Sequence, residues 1–307
     1  DLTLFGWRAV FVVPLVGGVV VAAAGVKLVQ NVGERSNTTL DILSVVLLAA
    51  GITAFVYSVG EFSTNLIAGI ATLLAAVVLL GLFAARQLKL EHPVLNVRPM
   101  ASVRFWPACL LVVVSMMTTF SMSVLLPLYF EGAYGMTALI AGLLILPAIA
   151  CNAVTSIVGG RVMDARGAWP LLPVGFALIA VGQTAISMTA ASMNIGVVVA
   201  LTVVVYAGVG LVLSPSQTAG LETLPAAEHP HGTALLNTWN MIAASFGPSL
   251  FIGLLSSSAA TAGVAGAATD VAQAIGFAAA VRVAAVIAVV GFVASLVYAH
   301  RESHMSH

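Results

Sequence analysis

Charge is scarce in this chain. Only 7% of its 307 residues are Asp, Glu, Lys or Arg, 61% are hydrophobic, and the mean hydropathy is +1.11. Soluble domains carry about 25% charged residues, so this composition excludes a soluble globular protein. The formal net charge is zero, which excludes the basic surface that a nucleic-acid-binding protein needs.

Several catalytic and ligand-binding signatures are also absent. The only lysines, Lys27 and Lys89, lie outside glycine-rich stretches, so no phosphate-binding G-x-x-x-x-G-K-[ST] loop exists and ATP does not drive this polypeptide directly. No H-E-x-x-H occurs. Cys109 and Cys151 lie inside apolar runs, where they are expected to be buried small residues. We therefore predict no enzyme activity, no cofactor and no metal site.

What the chain has is apolar sequence. A membrane-spanning helix needs about 20 mainly apolar residues, and a bilayer admits only segments whose backbone groups are paired internally. Nine runs qualify: 10–28, 42–59, 66–85, 108–130, 138–158, 171–190, 195–213, 234–255 and 279–299. The sequence therefore predicts an all-α, polytopic membrane protein with about nine transmembrane helices. The longest predicted links are 86–107 and 256–277.

The link 159–170 carries an unusual share of the charge. It contains Gly160, Arg161, Asp164, Arg166 and Gly167. Arginines beside membrane helices oppose translocation, and a carboxylate can cap the start of a helix. We predict a cytoplasmic hairpin in which Asp164 caps the following helix.

The basic residues set the orientation. If the 159–170 hairpin is cytoplasmic, strict alternation places nine of the eleven basic residues on that side: Lys27, Arg35, Arg86, Lys89, Arg98, Arg104, Arg161, Arg166 and Arg301. The positive-inside rule favours this topology. Segments 33–38 and 300–307 are then also cytoplasmic. Arg282 is interpreted as reaching the outer interface, with a buried functional charge as the alternative.

The hairpin carries a family resemblance. Gly160, Asp164 and Gly167 form G-x-x-x-D-x-x-G, which resembles the cytoplasmic loop motif of major facilitator transporters. This copy departs from the pattern at Ala165 and at 168–169, where basic residues are usual in the family.

Four further stretches resemble the fourteen-helix drug:proton antiporters of that superfamily, the EmrB/QacA type with its lincomycin-resistance-like branch. In chain order they are Trp7-Arg8 with Phe11 and Pro14; Glu91-His92-Pro93-Val94-Leu95; Leu126-Pro127-Leu128-Tyr129 with Gly135, Gly142-Leu143 and Leu146-Pro147; and His231-Gly232-Thr233-Ala234 with Asn237-Thr238. The resemblance implies a partial major facilitator fold that corresponds to helices six to fourteen.

The resemblance also implies a domain organisation. Residues 1–39 would hold the last helix of a truncated N-terminal half, 40–107 two linker helices and a cytoplasmic linker, and 108–307 the six-helix C-terminal half with its tail. The implied function is secondary active export of small hydrophobic or amphipathic compounds across the plasma membrane, coupled to protons. The alternatives are a major facilitator importer and a membrane scaffold or sensor that transports nothing.

Few polar groups lie within the predicted helices. The amides of Asn152, Gln183, Asn237 and Asn240 are candidates for lining a substrate cavity, and bonding between neighbouring helices is the alternative. Asp41 and Glu222 are the acids closest to a helix interior and are the candidates for a proton-linked role. The expected partners are a small-molecule substrate, protons, the lipid bilayer and the N-terminal half of the same protein, with no nucleic acid.

Overall fold

The computed structural model describes residues 9–28, 41–61, 65–90, 93–103 and 105–303, and every regular element within them is helical. Helix α1 (Ala9–Leu28) belongs to one compact unit, and Asp41–His307 forms a second. The second unit contains α2 (Ile42–Glu61), α3 (Leu66–Lys89), α4 (Phe105–Tyr134), α5 (Ala138–Arg166), α6 (Leu171–Thr189), α7 (Ile195–Glu222), α8 (His229–Val264) and α9 (Thr269–Ser303).

The helices suit a bilayer. Among the described residues, the seven helices α3 to α9 are each long and apolar enough to cross a membrane, while α1 and α2 contain the shorter apolar runs 14–26 and 42–58. The predicted all-α, polytopic membrane fold is confirmed.

The predicted links were too long. Helix α5 continues through Arg166, so most of the 159–170 hairpin is helical; α8 continues to Val264 and α9 begins at Thr269, so most of the 256–277 link is helical too. Hydropathy identifies the part of a helix that lies in lipid, whereas charged and small polar residues can continue the helix beyond that part without being apolar enough to be counted.

One end of the bundle collects the basic side chains. This is the end at which α2, α4, α6 and α8 begin and at which α3, α5, α7 and α9 end. Two contacts lie there: Asp41 pairs with Arg86, and the Tyr298 hydroxyl donates to the Ala219 carbonyl oxygen at 3.2 Å. We call this the arginine-rich end. Segment 33–38 and residues 304–307 of the tail, predicted on this side, lie outside the described residues.

Helix α4 lies at the centre and packs against α5, α7, α8 and α9. Near the opposite end, the Tyr129 ring stacks on Phe277 with centroids 4.2 Å apart, and its hydroxyl donates to the Ala190 carbonyl oxygen at 2.9 Å. Arg282, little more than one turn beyond Phe277 on α9, is exposed. Its exposure is consistent with the interfacial interpretation.

Helix α7 approaches two neighbours through glycine. A Cβ atom added to Gly208 would lie 2.6 Å from the Gly175 carbonyl oxygen of α6, and one added to Gly210 would lie 2.7 Å from the Asn152 carbonyl oxygen of α5. Lipid supplies little drive for helices to associate, so contact between backbones has to come from small residues of this kind.

Candidate functional site

The loop motif straddles the end of α5. Gly160, Arg161, Asp164 and Arg166 lie in its last two turns, and Gly167 ends the helix with φ +75° and ψ −174° while its N–H donates to the Met163 carbonyl oxygen at 2.9 Å. This backbone region is essentially restricted to glycine. The connection to α6 is therefore a tight turn over residues 167–170.

Asp164 does not cap α6, so that prediction was wrong. The residue lies within α5 with its side chain exposed, and α6 begins after Pro170, whose side chain makes no capping bond. The Leu171 and Leu172 N–H groups instead donate to the Ala168 carbonyl oxygen, each at 3.1 Å. Because α5 extends about two turns further than predicted, Asp164 stays on the helix that precedes the turn.

The two motif glycines are expected to respond oppositely to alanine. Gly167→Ala should destabilise the protein by roughly 1–3 kcal/mol, because alanine must adopt a glycine-only backbone conformation. Gly160→Ala should stabilise α5 by up to about 1 kcal/mol, because Gly160 is helical and a Cβ there meets nothing within 4 Å. Thermal unfolding of the two variants in the same detergent is the measurement. Equal midpoints would contradict a structural requirement for Gly167.

The four candidate amides differ in burial and in hydrogen bonding. The Asn152 side-chain N–H donates to the Tyr206 carbonyl oxygen at 3.1 Å and so joins α5 to α7, while Asn237 is exposed on α8. Gln183 on α6 is fully buried and Asn240 on α8 is 6% exposed. No described hydrogen bond joins any two of these amides, so the structure does not gather them into one cluster.

Several buried polar atoms have no hydrogen-bond partner among the described residues. They are Ser115 Oγ and Thr118 Oγ1 on α4, both side-chain atoms of the Gln183 amide, Ser216 Oγ on α7 and Asn240 Oδ1. Polar atoms buried without partners are unusual and unfavourable, by about 1–3 kcal/mol each. They indicate places where a bound molecule would find hydrogen-bonding groups.

Two of these residues lie at one level of the bundle, and a third lies about one turn beyond them. A Cβ on Gly220 of α7 would contact Ala108 of α4 at 3.0 Å and Leu236 of α8 at 3.7 Å, so these positions are level. One turn further from the arginine-rich end lie Ser216 on α7 and Asn240 on α8, with Ser115 on the next turn of the same α4 face. We call Ser115, Ser216 and Asn240 the polar junction. Hydropathy could not reveal this polar junction, because which side chains face one another depends on how each helix is rotated about its axis.

Asp41 is held in an ion pair. Arg86 Nε donates to Asp41 Oδ2 at 2.7 Å, Arg86 Nη2 donates to Oδ1 at 3.0 Å, and the Ser44 hydroxyl donates to Oδ2 at 2.6 Å. The Arg86 hydrogen bonds, and after them that from Ser44, lower the pKa of Asp41 to about 2. Asp41 is therefore ionised at neutral pH, which argues against the predicted proton-linked role. The other candidate, Glu222, is exposed at the last position of α7.

The ion pair belongs to a larger network at the arginine-rich end. Gln87 donates to the Ser44 hydroxyl at 2.6 Å and accepts from the Leu95 N–H at 3.0 Å, and the Asn96 N–H donates to His231 Nδ1 at 3.3 Å. These bonds fasten the α2–α3 pair to the segment before α4 and, through it, to the start of α8. Within the described part of the chain, no three His, Cys, Asp or Glu side chains are grouped as a metal site would require.

Sequence comparison decides the family. Residues 2–248 match the Major Facilitator Superfamily, a range that extends from before α1 into α8. The chain belongs to the major facilitator superfamily. The predicted superfamily and fold class are confirmed.

Relatives within this superfamily include drug-resistance proteins. The chain is 30% identical over 253 residues to the lincomycin resistance protein LmrB of Listeria monocytogenes, covering 81% of this chain and 54% of the relative. It is 33% identical over 296 residues to the MFS-type transporter YcnB of Bacillus subtilis, covering 95% and 62%. It is 24% identical over 258 residues to a multidrug resistance protein B homolog of Mycobacterium tuberculosis, covering 82% and 48%. The chain thus spans about half the length of its lincomycin-resistance relatives.

Proposed function

We propose that the complete protein exports small hydrophobic or amphipathic compounds, antibiotics among them, across the plasma membrane by exchange for protons. The observation that carries the proposal is the similarity of about four-fifths of this chain to a lincomycin resistance protein. A second, N-terminal half would pair with this one, because major facilitator transporters consist of two six-helix halves related by a parallel repeat. Only 17% of the most apolar stretch of α5 and 22% of that of α8 are buried here. Both helices therefore offer surface to such a half.

In this proposal the polar junction supplies hydrogen bonds to the substrate. Ser115, Ser216 and Asn240 are buried within about one turn of one another along the bundle axis, and each keeps a polar atom unpaired. A small number of polar groups in a mainly apolar site orients a ligand without demanding one chemical structure. Export of varied amphipathic compounds needs that combination.

The polar junction predicts that one substitution will lower export without lowering the stability of the fold. Asn240→Leu should leave the unfolding temperature unchanged or higher, because it removes a buried atom that the fold leaves unpaired. The same change should lower export about tenfold, which corresponds to about 1.4 kcal/mol. Efflux of lincomycin from cells expressing the complete protein measures the second effect.

The matched control for Asn240→Leu is Ser187→Ala. Ser187 is also buried, but its hydroxyl donates to the Thr184 carbonyl oxygen of its own helix at 2.8 Å, so export should persist. Normal efflux by Asn240→Leu would contradict the role of the junction. Uptake instead of efflux would favour an importer, and no movement with any variant would favour a scaffold or sensor.

The proposed orientation places the arginine-rich end in the cytoplasm. In a cysteine-free background, Ala265→Cys, exposed between α8 and α9, should react with an impermeant thiol reagent added to intact cells. Ala227→Cys, exposed between α7 and α8, should react only after the cells are opened. The positive-inside rule supplies the reason. Rapid labelling of Ala227→Cys from outside would reverse the topology.

A further inference from the structure

Four helices enclose a space inside the bundle. Helix α4 packs against α7 and α9, and α6 packs against the same two helices, so α4 and α6 lie on opposite sides of this space. Far from the arginine-rich end, the Tyr129 side chain crosses the space to reach the Ala190 carbonyl oxygen. Nearer that end, a Cβ on Gly291 of α9 would lie 2.7 Å from Val114 Cγ1 and 2.6 Å from Phe176 Cε1. These two contacts fix the levels of α4 and α6 relative to each other.

Two buried polar side chains without partners point into this space. Counted from the level of Val114 and Phe176, Thr118 lies about one turn along α4 and Gln183 about two turns along α6, each on the same helix face as the residue from which it is counted. Side chains on a helix lean towards its N-terminus, which brings the long Gln183 side chain back towards the level of Thr118. Gln183 is fully buried and Thr118 is 1% exposed. Gln183 Oε1, Gln183 Nε2 and Thr118 Oγ1 have no hydrogen-bond partner among the described residues.

The neighbouring side chains offer these three atoms no partner. Val205 of α7 and Ala284 of α9, on the faces that border this stretch, are buried and apolar. The Ser121 hydroxyl of α4 donates to the Thr118 carbonyl oxygen at 2.7 Å, and the Thr202 hydroxyl of α7 donates to a carbonyl oxygen of its own helix at 2.7 Å. The Gln183 amide and the Thr118 hydroxyl are therefore the groups that a ligand would find here.

The surroundings of these groups narrow the ligand to water. Among the described residues no buried side chain is charged, so an ion would have no counter-charge in this apolar interior. An organic molecule would have to displace packed side chains such as Leu125 and Ile179, both fully buried. Water needs little room, and an internal water typically makes about three hydrogen bonds to buried polar groups that otherwise lack partners.

We propose that an ordered water molecule binds between α4 and α6 and bridges the Gln183 amide and the Thr118 hydroxyl. The water accepts a hydrogen bond from Gln183 Nε2 and donates one to Thr118 Oγ1, and it thereby joins two helices on opposite sides of the enclosed space. Ser115 of the polar junction, about one turn before Thr118 on α4, also has an unpaired hydroxyl oxygen, which gives water a polar route to the site. Binding of this water does not depend on transport, so its test stands apart from the proposed function.

X-ray hydroxyl-radical footprinting of the 307-residue chain in lipid nanodiscs tests the proposal, with water itself as the probe. Radiolysis converts a bound water molecule into a hydroxyl radical, which oxidises the nearest reactive side chain before it diffuses away. Met122 lies about one turn beyond Thr118 on the same α4 face and is fully buried, so radicals from bulk water do not reach it. Mass spectrometry should nevertheless show oxidation of Met122.

Three variants show whether the oxidation of Met122 depends on the bridge. Gln183→Leu and Thr118→Val should each slow it, and the double variant should abolish it. Thr202→Val is the matched control and should leave it unchanged, because Thr202 is 2% exposed but its hydroxyl is bonded within α7. Should Gln183→Leu misfold, Thr118→Val, which preserves the side-chain shape, decides together with the control.

Two results would overturn the proposal. Absence of Met122 oxidation in the unaltered chain would mean that no water is bound there and that the two side chains pair directly. Oxidation of Met122 at the same rate in Thr118→Val as in the unaltered chain would mean that the radical comes from water held elsewhere in the bundle.

Discussion

Replacing Gly208 with leucine is expected to prevent α6 and α7 from packing and to leave little folded protein. A Cβ at this position would lie 2.6 Å from the Gly175 carbonyl oxygen and 3.1 Å from the Ile179 backbone nitrogen. Both are backbone atoms, so neither can move without separating the helices. Extra methylenes in a packed core typically cost about 1–3 kcal/mol, and forcing two backbones apart adds to that figure.

Gly142→Leu is the matched control for this substitution. Gly142 lies on α5, is exposed, and has nothing within 4 Å of an added Cβ, so leucine there should fold normally. Yield of monodisperse protein on size-exclusion chromatography and thermal unfolding would be measured for both variants. Equal yields would show that the close α6–α7 contact is not needed for assembly.

The sequence predicted most helix starts better than helix ends, although α9 begins ten residues before its predicted start at 279. The predicted starts at residues 42, 66, 138, 171 and 195 coincide with those of α2, α3, α5, α6 and α7. Several of these follow a polar or proline residue that stops one helix or caps the next: Asn65 and Asn194 accept hydrogen bonds from the first turns of α3 and α7. The ends of α5, α7 and α8 lie beyond the apolar runs because a helix can continue into water with its backbone bonds intact.

The sequence predicted less of the candidate site. The G-x-x-x-D-x-x-G spacing located the tight turn, and Gly167 has the backbone conformation that requires glycine. Asp41 and Arg86, by contrast, are 45 positions apart, and nothing local indicates that they pair. Asn152 and Asn240 look alike in sequence, yet one bonds a neighbouring backbone and the other keeps an unpaired oxygen. Helix rotation, which hydropathy does not specify, decides between those outcomes.

The location of the acidic residues limits what this polypeptide can do alone. Every acid in the described part of the chain lies outside a helix or within four residues of a helix end: Asp41, Glu61, Glu131, Asp164, Glu222, Glu228, Asp270 and Glu302. A carboxylate that carries protons at physiological pH normally lies in the bundle interior, where desolvation raises its pKa. Asp41 shows the opposite shift, because Arg86 stabilises its charge.

The 307-residue chain reconstituted by itself in proteoliposomes is therefore expected to move no lincomycin when a pH gradient is imposed. Its described helices contain no acid in the bundle interior. Transporters of this superfamily also open to each side of the membrane in turn by rocking two halves around a shared site, whereas this chain would have to do so with a single six-helix bundle. The lincomycin resistance protein LmrB of Bacillus subtilis, 30% identical to this chain, is measured beside it in identical liposomes. Gradient-driven lincomycin uptake by the chain alone, abolished by an uncoupler, would show that proton coupling and alternating access both reside within these residues.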